Sequence, residues 1–251
     1  MKFLIFVFLL FICKNIKAQD EPIDTDRPDQ TESPVTVKKY WMQIEHGFGI
    51  ERDNKISTTG SSTLFRYGLL QNFELRLETD FIHTPSTKYS SSTTKLQPIT
   101  MGTKVSLWQP KNWLPKTSLL IHVGIPFLAA KSFKNLNAAP GIILAFQNNL
   151  SQIISWGYNI GAEWDGENSD PTYIYTFSNG IDVSEKLYGF LEIYGSLKND
   201  GLPQHNIDAG LSLLINNNIK LDISSGAGIT NAAPDWSIAI GASIRFNIEK
   251  K

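Results

Sequence analysis

The chain has 251 residues, with 23 Lys and Arg against 24 Asp and Glu. That length suits one large β domain or two small ones. The balanced charge supplies no basic face for nucleic acid. Its one cysteine, Cys13, leaves everything after it without disulfides or thiolate metal ligands.

Residues 1–18 read as a signal peptide. Lys2 gives a positive start, Phe3 to Cys13 is apolar throughout, and Ala18 is a small residue at a plausible cleavage point. The run is too short for a spanning helix, which needs about 20 apolar residues. Phe11 and Ile12 stand where a lipoprotein signal would carry small residues. Residues 19–39 follow as an acidic, Pro-containing N-terminal segment on the periplasmic side. A β-barrel is expected over 40–246, with 247–251 as a C-terminal tail.

From residue 40 onward, period-two alternation recurs in segments of about ten residues, the pattern of membrane β-barrel strands. Twelve strands are expected: 40–51, 62–70, 73–81, 99–107, 117–125, 141–147, 153–165, 172–183, 187–197, 205–215, 219–228 and 236–246. In 73–81, Phe73, Leu75, Leu77, Thr79 and Phe81 share one face, and Glu74, Arg76, Glu78 and Asp80 share the other. Long and short connections alternate, as for a barrel with tight turns at one end and surface loops at the other. The loop 82–98 reads as a solvated Ser/Thr-rich stretch. No proline falls inside an expected strand, which suits a fully paired sheet. The fold class is thus all-β, an antiparallel transmembrane β-barrel of about 12 strands, outer-membrane type.

With the oily face turned to lipid, the ionised side chains all turn inward. The lumen candidates are Glu45, Arg66, Glu74, Arg76, Glu78, Asp80, Lys104, Glu163, Asp182, Glu192, Asp208, Lys220, Asp222 and Arg245, with Glu51 and Asp165 on the same face. The opposite sorting would put charge into hydrocarbon at about 2–4 kcal/mol per Arg or Lys at mid-bilayer. His46, Asn179 and His205 are the polar residues expected on the lipid face. Trp41, Trp108, Trp164 and Trp236 fall at or beside strand ends, where indoles suit a membrane interface. A soluble sandwich or lipocalin-like barrel would show the same alternation with the oily face inside. Gly241, Ile244 and Phe246 resemble a C-terminal outer-membrane assembly signal, although Ala239 and the residues after Phe246 depart from it.

The stretch Asp20 to Pro34 leaves two readings open. It folds into the barrel mouth as a plug, with Asp26, Arg27 and Asp29 as its charged residues and Arg27 pairing with Glu45 or Glu78, or it is a solvated tether. Its core, Thr25-Asp26-Arg27-Pro28-Asp29-Gln30-Thr31-Glu32-Ser33-Pro34, is followed by the alternating Gln43, Glu45 and Gly47. This resembles the outer-membrane family named for the MetA pathway of phenol degradation. The resemblance implies passage of small hydrophobic or aromatic solutes across the outer membrane.

The expected function is passive transport through the barrel, with outer-membrane lipid as the surrounding partner. The alternatives are a structural or surface-interaction barrel and, behind it, a lipid-modifying enzyme. Catalysis would need a Ser nucleophile with a His base in reach. His46, His83, His122 and His205 show no such spacing and are too scattered to argue for metal. No enzyme activity, metal or cofactor is expected. If the lumen is open, its acidic excess implies weak cation preference.

Overall fold

A computed structural model describes residues 21–86, 91–131, 137–199 and 201–249. The expected signal peptide and positions 87–90 of the Ser/Thr-rich loop lie outside the described residues. Among the described residues, thirteen antiparallel strands form one sheet: β1 (Trp41–Asp53), β2 (Ile56–Leu70), β3 (Phe73–Thr84), β4 (Thr93–Leu96), β5 (Ile99–Trp108), β6 (Lys116–Ile125), β7 (Ala139–Asn149), β8 (Ile154–Glu163), β9 (Thr172–Asp182), β10 (Leu187–Lys198), β11 (Gln204–Asn216), β12 (Ile219–Gly228) and β13 (Trp236–Asn247). β1 pairs with β13 from Trp41↔Asn247 to Arg52↔Trp236, and β2 pairs with β3, so the sheet closes on itself. Closure removes the unpaired edges that hydrocarbon cannot solvate.

The barrel has twelve staves, because β4 and β5 share one. β3 pairs with β5 along its first half and with β4 along its last residues. Pro98 sits at the break, where it has no N–H to give the ladder. The expected loop 82–98 therefore contains seven residues of wall, the last three of β3 and the four of β4. A second difference lies between β1 and β2. Residues 52–61 are not a surface loop but a hairpin extension around Asn54 and Lys55, both at positive φ (46° and 72°), as two-residue hairpin turns require. The extension puts Arg52 on the outward row beside Trp236, at the long-loop rim. Pro140 also lies in a strand, at the start of β7, opposite Val123.

Burial separates a membrane barrel from a soluble one. The largest fully buried side chains include Arg66, Lys104, Gln43, Glu45, Glu74, Glu192 and Asn159. Meanwhile Leu75 is 43% exposed, Leu191 53% and Ile160 55%. A water-soluble fold would invert this, so the apolar girdle faces lipid. Each of the three polar residues expected on the lipid face has a hydrogen-bond partner of its own. His46 bonds Thr63 (2.8 Å), Trp156 Nε1 donates to Asn179 (3.0 Å), and Tyr175 bonds His205 (2.8 Å). Trp41, Trp108, Trp164 and Trp236 stand at or next to strand ends. Replacing Ile240, 54% exposed in mid-β13, by Arg should cost about 2–4 kcal/mol in urea unfolding from lipid vesicles. A loss below 0.5 kcal/mol would show that this face does not meet acyl chains.

Candidate functional site

Residues 21–38 enter the barrel from the short-turn end and run through its interior. Ile23, Thr25, Asp26, Thr31, Pro34 and Val37 are buried there. The chain leaves this path at Tyr40, at positive φ (65°), where its N–H donates to Gly68 O and Lys39 bridges Gly68 on β2. The interior therefore holds a segment of the same chain rather than water alone.

One side of the segment rests on cations from β2, β3 and β5. Asp26 meets Lys104 Nζ at 2.8 Å, Arg76 at 2.6 Å and Arg66 at 3.0 Å. Glu32 meets Arg76 at 2.8 Å and Lys104 at 3.1 Å. Arg66 also spans Glu45 and Glu74, both at 2.9 Å, and donates to Val35 O. Wall carboxylates take up backbone donors of the segment: Asp26 N–H gives to Glu45 (3.0 Å) and Val37 N–H to Glu74 (2.7 Å). Such charge-assisted bonds are about twice as strong as neutral ones. Burial alone would raise the Asp26 pKa, but the charges of Arg66, Lys104 and Arg76 outweigh it and hold it well below the usual carboxylate range. Burial also raises Glu32, and Arg76 offsets only part of that.

The other side rests on β8 to β13. Gln30 N–H donates to Glu192 (2.7 Å), and Thr31 Oγ1 bonds both Glu192 and Thr176. Asn159 clasps the backbone of Glu32, accepting its N–H (2.7 Å) and donating to its carbonyl (3.1 Å). Lys220 donates to Thr25 (3.1 Å), and Arg245 to Glu21 O. Asp29 is raised well above the usual carboxylate value, by burial first and then by the charge of Glu192.

Arg27 does not pair with Glu45 or Glu78. It reaches Asp222 on β12 at 2.9 Å. Arg66 already occupies Glu45, and the route to Asp222 is open because Gly47 and Gly241, opposed across the β1–β13 seam, leave room for the guanidinium. A Cβ at either glycine would collide with it.

Five further charged candidates lie apart from this contact region. Asp182 is exposed at the short-turn rim, where it borders a cavity of about 1030 Å³ beside the segment. Glu78, Arg76 and Glu163 border a second cavity of about 230 Å³, and Glu32 forms a wall of both. Asp80 stays on the inward row of β3, opposite Ser62. Asp165 is not in the lumen: β8 ends at Glu163, and Asp165 caps the following loop by accepting the N–H groups of Glu167 and Asn168 (2.9 and 2.8 Å). Gln43, Asn159, Thr176, Thr31 and Glu32 belong to the site but were absent from the charge-based expectation. Inward parity would have found the three wall residues. His83 is held at the outer rim by Thr94 (2.9 Å), with Ser92 Oγ 3.5 Å away. Among the described residues, hydroxyls rather than a carboxylate contact this ring.

A family model described as "Putative MetA-pathway of phenol degradation" matches residues 25–246, a span that begins inside the lumenal segment. No curated protein sequence matches the chain. Among solved structures, the COG4313 outer membrane channel from Pseudomonas putida F1 is 11% identical, with a TM-score of 0.63 over 89% of this chain and 100% of that one. The KdgM porin in complex with disordered oligogalacturonate is 10% identical, with a TM-score of 0.59 over 81% and 99%. The NanC porin is 9% identical, with a TM-score of 0.57 over 81% and 98%. At these identities the likeness establishes the barrel fold.

Proposed function

Since the chain belongs to the MetA-pathway phenol-degradation family, we propose that it is an outer-membrane channel for passive passage of small hydrophobic or aromatic solutes, with residues 21–38 as a resident plug. The observation that carries this is the charged, hydrogen-bonded lumen inside an apolar outer wall, filled along part of its length by a separable segment. A barrel serving only as a scaffold has no need of a hydrophilic interior bordered by cavities on either side of such a segment. The porin and channel neighbours support the reading. Purified protein in planar bilayers should give discrete conductance steps, and liposomes containing it should swell faster in small aromatic solutes than in sugars. No conductance and no swelling, with or without residues 21–38, would favour a structural barrel.

The plug should respond to pH in a defined direction. Asp29 faces Glu192, Asp208, Lys220 and Ser178. Its folded pKa is raised, so its contribution to docking is full below the ordinary carboxylate range and is lost as pH rises through the raised value. Asp26 has the opposite sign, and its contribution fades only as pH falls below that range. Conductance should therefore be lowest at mildly acidic pH and rise toward alkaline pH. Asp29→Asn should flatten the alkaline limb; an unaltered limb would assign it to another group.

A further inference from the structure

The 230 Å³ cavity next to the plug is lined by both apolar and acidic side chains. Leu64, Leu120 and Ile143 line it together with Glu78, Glu163 and His122, Leu64 standing directly opposite Glu78 across β2 and β3, and Glu32 and Arg76 lie toward the plug. Leu120 and Ile143 belong to the small apolar cluster inside the wall, completed by Ala145 and Ile174. His122 is seated deliberately by its neighbours. A Cβ on Gly141 would overlap its ring, and one on Gly102 would stand 2.9 Å from its Cβ. With both positions bare, the imidazole lies against the wall and its Nε2 comes within 3.5 Å of Glu163.

The charges around this cavity do not cancel. Arg76 spends its donors on Asp26, Glu32 and Glu74, and Lys104 also holds Glu32. Glu78 has the Ser62 hydroxyl at 3.3 Å, and Glu163 has His122 Nε2 at 3.5 Å. Two carboxylates thus face the cavity without a cationic partner of their own among these contacts. A carboxylate that lines such a cavity gains from a charge-assisted donor. A cavity of about 150 Å³ suffices to hold benzene, so this one has room for a single ring and a short chain.

The geometry points to a binding site for a small amphiphile with an apolar, ring-sized body and a cationic ammonium head. The body packs on Leu64, Leu120 and Ile143, and the head sits between Glu78 and Glu163. This deepens the channel reading and rests on it: the cavity is a station along the lumen, held against the plug through Glu32.

The test uses the whole purified chain in detergent and isothermal titration at neutral pH. Three probes of one shape are compared: 2-phenylethylammonium, 2-phenylethanol and 3-phenylpropionate. The ammonium should bind at least about tenfold tighter than the alcohol, since a charge-assisted hydrogen bond is about twice as strong as a neutral one. The Glu78→Gln/Glu163→Gln double variant should lose that preference, while Asp165→Asn, on the exposed loop, keeps it. Retention of heat-modifiable gel mobility shows that each variant is folded; if the double variant misfolds, each single variant should still lose part of the preference. Equal binding of the three probes, or an unchanged preference in the variants, overturns the site and leaves bilayer conductance unaffected. Carboxylate-dependent binding by a chain that never conducts would instead remove the channel reading alone.

Discussion

Deleting residues 21–38 is expected to raise single-channel conductance by at least roughly threefold. A strip of chain with its side chains takes up about the 10 Å that separates packed sheets, and a twelve-stave barrel is intermediate between side-chain-filled and water-filled barrels. Removing it should therefore join the cavities on either side of Glu32. The wall should survive, because Arg66, Arg76 and Lys104 keep Glu45 and Glu74 as neighbours and gain water. Deletion also removes Asp26, Asp29 and Glu32, so the reversal potential should move toward anions relative to the whole chain. Unchanged conductance and selectivity would reject the plug. A milder version, Asp26→Asn, should show brief openings, because it strips the segment of the carboxylate that three cations share.

The Arg66→Ala variant is expected to lose about 3–5 kcal/mol of stability, the range for removing one member of a buried ionic group. Arg66 is fully buried and simultaneously holds Asp26, Glu45, Glu74 and the carbonyl of Val35. Its loss takes the guanidinium away from Glu45, leaves Glu74 to Arg76 at 3.2 Å, and unlocks the segment. Arg66→Lys should recover only part, since an ammonium cannot form the forked contacts to Glu74 made through Nε and Nη2. Urea unfolding in lipid vesicles reads both effects. A loss under 1 kcal/mol would mean that water already shares the load.

The alternation that made the barrel legible is strongest where the wall crosses lipid and vanishes where it does not. Residues 236–246 have an oily row along their whole length and 219–228 one broken only at Ser225, and their strands lie within a residue of the expected bounds. Residues 56–63 are Ser, Thr and Gly apart from Ile56, so no oily row marks the upper part of β2. The Asn54–Lys55 turn lacks the usual glycine, which hid the hairpin. At the site, parity alone sends Glu45, Arg66, Glu74 and Lys104 inward. Their partners were illegible because an irregular segment has no period from which to project a contact. Arg27 illustrates this: its partner lies 195 residues away, and the choice of Asp222 depends on two glycines that only a closed wall brings together.

That last seat ties occupancy of the lumen to completion of the cylinder. Gly47 comes from the first strand, Gly241 from the last and Asp222 from the one before it, so the niche for Arg27 does not exist until both chain ends have met. A half-zipped intermediate has nowhere to lodge the guanidinium. Proper lodging of Arg27 is thus a record, written into the mature molecule, that its biogenesis went to the end.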